Sequence, residues 1–127
     1  PYGVLAVQAG PASPVEIALH AKVIRTLGEV FTSVIPYAVD APCYGRDLGF
    51  VLASSADLSS RMSAEHVRAC DATLTGEHRW LTPELLVGKL SVPPYLAAAI
   101  TSRTDVYRDD APPATTGAAG WEQSATD

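Results

Sequence analysis

The run Gly3-Val4-Leu5-Ala6-Val7-Gln8-Ala9-Gly10-Pro11, followed at once by Ala12-Ser13-Pro14-Val15-Glu16, decides how the rest of the chain is read. Residues 3–8 are almost all apolar and rich in Val and Leu, the composition of a strand buried on both faces of a parallel sheet. The run closes on Gln8 and the turn-formers Gly10 and Pro11. Gln8 therefore stands at the C-terminal end of a strand, the edge at which open α/β sheets bind ligands. Ser13 then offers an N-cap, Pro14 a first helical residue and Glu16 a carboxylate three residues after the cap. Leu19, Val23, Ile24, Leu27 and Phe31 follow at helical spacing, so a helix is expected over 14–31. Strand, turn and helix in that order are the first half of a βαβ unit.

Outward from this unit, Val34-Ile35-Pro36-Tyr37-Ala38-Val39 is β-rich, and its proline marks an edge strand or a bulge. Residues 40–47 are turn-like and 48–53 form a second apolar strand, which predicts an antiparallel hairpin closing the sheet, with Tyr44 in its loop near one end. Tyr37 is assigned to packing on the sheet. Beyond Ser54 the pattern turns helical. Ser63 caps a helix of about ten residues ending near Gly76, Thr82-Pro83-Glu84 starts another, and Pro93-Pro94 begins a third. From Asp109 onward Pro, Ala, Thr, Gly and Ser dominate, the composition of a disordered tail. The expected organisation is one α/β domain piece over 1–108 and a tail over 109–127.

At 127 residues, 47% hydrophobic and 18% charged, the chain suffices for a single domain with a core. A net charge of −5 and the lack of any Lys/Arg cluster with interleaved aromatics argue against a nucleic-acid partner. Cys43 and Cys70 have no second ligand at metal-binding spacing, so they are read as free thiols and no metal is expected. No apolar run approaches the roughly 18 residues of a membrane helix, and no signal peptide opens the chain. A cytoplasmic protein without a membrane partner is the expectation. His20, His66 and His78 are read as solvated side chains, and Asp40 and Asp47 as backbone-bonding turn residues. Pro1 stands where a methionine would, and a strand opens at once, as in a piece taken from the middle of a domain.

Several segments, in order, resemble the C-terminal half of the polyamine aminopropyltransferase (spermidine synthase) family, nearest its plant-type thermospermine synthase branch. They are Val7-Gln8-Ala9-Gly10-Pro11-Ala12, Val23-Ile24-Arg25-Thr26-Leu27 with Glu29-Val30-Phe31, and Ala41-Pro42-Cys43-Tyr44. Gly49-Phe50-Val51-Leu52-Ala53-Ser54, Gly76-Glu77-His78-Arg79-Trp80-Leu81 and Thr104-Asp105-Val106-Tyr107 complete the set. The resemblance covers about residues 3–108 and departs from the branch at Leu48-Gly49-Phe50, where Trp-Gly-Trp is usual, and after Tyr107. It implies the C-terminal part of a Rossmann-like, methyltransferase-like domain, ending in an antiparallel hairpin and followed by helices.

The resemblance also implies polyamine biosynthesis: transfer of an aminopropyl group from decarboxylated S-adenosylmethionine to spermidine or putrescine. In it Gln8 holds the position of a glutamine that hydrogen-bonds the acceptor amine. Tyr44 is that of a tyrosine lining the amine channel, and Pro42 stiffens the loop presenting it. The partner implied is a small-molecule polyamine, with a homodimer as the family's usual assembly. The family's glycine-rich cofactor loop, ribose-binding acid and catalytic Asp pair precede the strand at which this chain starts. The expectation is thus that the chain alone holds no cofactor-binding or catalytic residue and is inactive. Two other readings stand beside this one: a non-catalytic packing or dimerisation module derived from the fold, and the end of an ordinary methyltransferase.

Overall fold

A computed structural model describes residues 3–76 and 81–111. Strand β1 (Leu5–Pro11) leads to helix α1 (Ala18–Gly28), strand β2 (Ser33–Ala41), a single 3₁₀ turn at Pro42–Tyr44 and strand β3 (Arg46–Ser54). A further 3₁₀ turn (Ser59–Met62) and helices α2 (Ala64–Asp71), α3 (Pro83–Lys89) and α4 (Pro94–Ser102) follow. The strand order is β1-β3-β2 and both pairings are antiparallel. Because β1 and β2 each run against β3, they are parallel to one another with β3 between them and α1 joining them.

The hairpin forms as expected. Pro36 can donate no ladder hydrogen bond, and it sits on the sheet's edge strand opposite Val51. The turn is closed by Gly45, whose N–H donates to the Pro42 carbonyl at 3.1 Å from a left-handed φ of 65°, a conformation that favours glycine. The first strand departs from expectation. Instead of lying between parallel neighbours, β1 is an edge strand paired only with β3 among the described residues, and Val4 and Leu5 are 49% and 41% exposed. Its apolar composition matches the face turned to α1, but nothing in that composition says how many strands flank it.

The sheet buries one face more deeply than the other. Val7, Val51 and Pro36 form one cross-strand row, and Val51 joins Ala9, Ile24 of α1 and Leu96 of α4 in the core, with Val23, Leu27 and Ile100 packed around them. Fully burying a valine such as Val51 contributes about 1.5–3 kcal/mol. The opposite face carries Ala6, Leu52 and Ile35 in one row and Gln8, Phe50 and Tyr37 in the next. None of these six is fully buried.

Helix boundaries shift for local reasons. Residues 14–17 form a turn and α1 begins at Ala18 without a side-chain cap. Glu16 does not reach back to close a capping box, because its two carboxylate oxygens accept from Arg46 at 2.6 Å and from the Ser13 hydroxyl at 3.1 Å. Ser63 and Thr82 do cap α2 and α3, accepting from the His66 and Leu85 N–H groups. Helix α2 stops at Asp71 rather than near Gly76. The Thr73 hydroxyl donates to the Cys70 carbonyl at 2.7 Å, and the Thr73 and Leu74 N–H groups close tighter i→i−3 turns.

By composition alone, Pro83–Ser102 reaches a mean hydropathy of 1.2 over 18 residues, the length of a membrane span, which corrects the expectation that no such run exists. Structurally the stretch is two helices of seven and nine residues, with the prolines Pro93 and Pro94 at the break, and neither approaches the roughly 20 residues a span requires. The chain then folds back on α1. Tyr107 N–H donates to the Thr26 hydroxyl at 2.9 Å, and the Lys22 ammonium lies 3.0 Å from Asp105 and 4.4 Å from the Tyr107 ring centre. Of the expected tail, 109–111 carry only an Arg108–Ala111 bridge, and 112–127 lie outside the described residues, as does His78.

His20 is the clearest correction to the sequence reading. Far from solvated, it is 0% exposed, pressed from α1 against Gly49 of β3, where a Cβ would collide with its ring. Neither ring nitrogen has a hydrogen-bond partner. Burial holds its pKa below the ordinary value of 6.5 and outweighs the Ala9 backbone, which acts in the opposite direction. The folded state thus prefers neutral His20 more than the unfolded state does. This stability is fully present above about pH 6.5 and is lost as pH falls through the lower folded pKa. Urea denaturation across this range should show a falling midpoint on the acid side, and His20→Leu should flatten that slope; an unchanged slope would contradict the burial argument.

Candidate functional site

Of the three residues singled out in the sequence, Gln8 is the middle residue of β1 and not the strand end that was expected, because pairing with β3 carries the strand on to Pro11, while Pro42 and Tyr44 are on the hairpin turn. Gln8 is exposed and lies opposite Phe50, whose ring stacks on Tyr37 with centroids 5.4 Å apart and planes at 20°. These three residues occupy one row across the sheet, so the Gln8 amide flanks a two-ring aromatic surface on the less covered face. Pro42 and Tyr44 form the 3₁₀ turn, with Tyr44 67% exposed. From the Phe50 row to Arg46, beside the turn, the strand advances four residues, roughly 13 Å at about 3.3 Å each. The structure therefore keeps Gln8 in the middle of the sheet and Tyr44 at its turn end, without joining them directly.

What connects the two segments is a set of contacts just past β1. The β1–β3 register shifts between Gln8 and Pro11, a bulge centred on Gly10 at φ 80°. The shift lets Ala12 N–H donate to the Asp47 carbonyl at 3.0 Å, while Arg46 and Glu16 form the ion pair already described. From the other side the Tyr95 hydroxyl of α4 donates to the Ala12 carbonyl at 2.8 Å. The turn after β1 is thus held by β3 and by α4 together.

Asp40 and Asp47, set aside in the sequence reading as turn residues, are brought directly opposite each other in the β2–β3 ladder. Like charges so placed repel, a cost that a cationic ligand between them would relieve. Asp47 lines a cavity of about 200 Å³ with Tyr37, Lys89, Ser91 and Tyr95, and Asp40 lines an adjoining one of about 170 Å³ with Tyr37, Leu85 and Lys89. The signal that finds this pair is simple: the two residues are placed symmetrically about the turn, at two positions before Pro42 and two after Gly45. Among the described residues, no group of three or more His, Cys, Asp or Glu side chains is close enough to hold a metal ion.

The fold and this sheet end define a class: a mixed α/β unit with a small antiparallel sheet and its polar groups gathered past the first strand. Over 120 residues, 89% of its length, the chain is 39% identical to a polyamine aminopropyltransferase of Synechococcus sp. (strain JA-2-3B'a(2-13)). A polyamine aminopropyltransferase of Synechococcus sp. (strain JA-3-3Ab) is 40% identical over 115 residues, 87% of the chain. These alignments take in 38% and 37% of the two relatives, so the chain spans under two-fifths of the length of the curated relatives it matches. No protein-family model matches it. The two homologues support the polyamine aminopropyltransferase family as the one this chain resembles.

If the Tyr95–Ala12 bond holds the turn after β1, Tyr95→Phe should lower stability by about 0.5–1.5 kcal/mol. The check is the midpoint of chemical denaturation; an unchanged midpoint would show that α4 and this turn are held by apolar packing alone.

Proposed function

We propose that the chain is part of a polyamine aminopropyltransferase, which moves the aminopropyl group of decarboxylated S-adenosylmethionine onto a polyamine. The observation that carries this reading is about 40% identity to two such enzymes along almost the whole chain. In the reaction the amine lone pair attacks the carbon next to the sulfonium, the C–S bond breaks toward sulfur, and the amine loses a proton to a base. The sulfonium leaves readily without help, so the protein's share is orientation, charge stabilisation and proton acceptance.

Within that enzyme the residues described here serve the amine. The Gln8 amide oxygen accepts a hydrogen bond from an N–H of the acceptor, and the aromatic pair beside it covers the aliphatic carbons. Tyr44, on the turn stiffened by Pro42, lines the path by which the polyamine enters, and the opposed Asp40 and Asp47 supply negative potential for its ammonium groups. Ala9-Gly10-Pro11-Ala12 favours spermidine as acceptor, the thermospermine synthase branch, over putrescine. The exposed edge of β1 continues into the remainder of a Rossmann-like sheet, which carries the groups for decarboxylated S-adenosylmethionine and the base. The 127-residue chain alone is inactive, and the complete enzyme works in the cytoplasm as a homodimer.

The test uses the longer polypeptide of which this chain is a part. Gln8→Ala and Tyr44→Ala should each raise KM for the amine, by on the order of tenfold for the lost Gln8 hydrogen bond, while KM for decarboxylated S-adenosylmethionine stays unchanged. Wild-type KM values for both variants would remove these residues from the amine site. A product formed from putrescine and not from spermidine would move the protein to the other branch.

A further inference from the structure

Both described cysteines are exposed free thiols, and their surroundings differ. Cys43 lies in the hairpin turn. Cys70 lies on α2 one helical turn after His66, with its Sγ 3.4 Å from His66 Nε2. The pair opens onto a cavity of about 320 Å³ between α2 and α3, whose wall includes Met62, Val67, Leu74 and Leu86 as well as Arg61. That volume falls within the range of small-molecule sites, and its lining is mostly apolar.

We propose that Cys70 is a thiol-modification site, activated by His66, which forms mixed disulfides with small disulfides whose body is apolar. With the imidazole proton on Nδ1, Nε2 lies where it can take the Sγ proton as the sulfur attacks. The Cys70 sulfur then attacks one sulfur of the incoming disulfide. The S–S bond of the reagent breaks, a new bond forms to Cys70 Sγ, and the departing thiolate takes up the proton held by His66. The disulfide itself is the oxidant, and no other reactant is required. The cavity selects among reagents by accepting the apolar group that stays attached to Cys70.

Cys43 is the built-in reference for the test. Single-thiol forms of the chain, Cys43→Ser and Cys70→Ser, are treated with an uncharged aromatic disulfide, dithiodipyridine, and release of the chromophoric thiol is followed. Cys70 should react on the order of tenfold faster than Cys43 in the folded chain and equally fast in denaturant. His66→Gln should bring Cys70 down to the Cys43 rate without changing the Cys43 rate itself. With a small polar disulfide, bis(hydroxyethyl) disulfide, the advantage of Cys70 should shrink, since the apolar wall then contributes less. Equal rates for the two thiols in the native chain, or a Cys70 rate unmoved by His66→Gln, would overturn the proposal.

Discussion

Strand β3 is the element on which the rest of this structure depends. Arg46–Ser54 is bonded on both sides, to β1 and to β2, and neither outer strand has another partner among the described residues. The central strand also holds the most deeply buried sheet residues, Val51 and Ala53, both 0% exposed. At Gly49 it leaves space for the His20 ring of α1, so helix and strand approach more closely than any side chain at that position would allow. Register along β3 decides which residues of the two outer strands become neighbours.

That register also decides which polar and aromatic residues become neighbours. On one side it aligns Gln8 with Phe50, and on the other it aligns Tyr37 with Phe50 and Asp40 with Asp47. The bulge at Gly10 then redirects β1, so that Ala12 meets Asp47 and Glu16 meets Arg46. A polar end on an otherwise apolar sheet is the outcome, with an aromatic surface on one face and opposed carboxylates beside the turn. The proposed binding of a chain of methylenes punctuated by ammonium groups rests on this surface.

Apart from the Ser13–Glu16 capping box, which Arg46 draws away, features that depend on neighbouring residues were legible in the sequence. The Ser63 and Thr82 caps, the Pro93-Pro94 helix start, the Pro36 edge strand and the hairpin turn at Pro42–Gly45 all follow from the conformational limits of a few adjacent residues. Features that depend on distant partners were not. The composition of β1 shows that it is buried against something, but only pairing shows that it meets an antiparallel strand and stands at an edge. A single histidine in a helical stretch says nothing about a glycine nearly thirty residues later, and both were needed to see His20 as buried. The Asp40–Asp47 pair lay between, readable once the hairpin is folded on paper about its turn. Gln8 and Tyr44 came from resemblance to a family, and the structure adds where each stands: one in a cross-strand row, the other on the turn.

The chain spans less than two-fifths of the length of the aminopropyltransferases it matches. The proposed function is therefore one of partition, with recognition of the amine proposed for this segment and the remaining groups for the rest of a complete enzyme. The most direct measurement is aminopropyl transfer from decarboxylated S-adenosylmethionine to spermidine and to putrescine, by the 127-residue chain alone and by the longer polypeptide that contains it. The account predicts no product from the chain alone and a polyamine product from the longer protein. Product from the chain alone, or none from the longer protein, would contradict it.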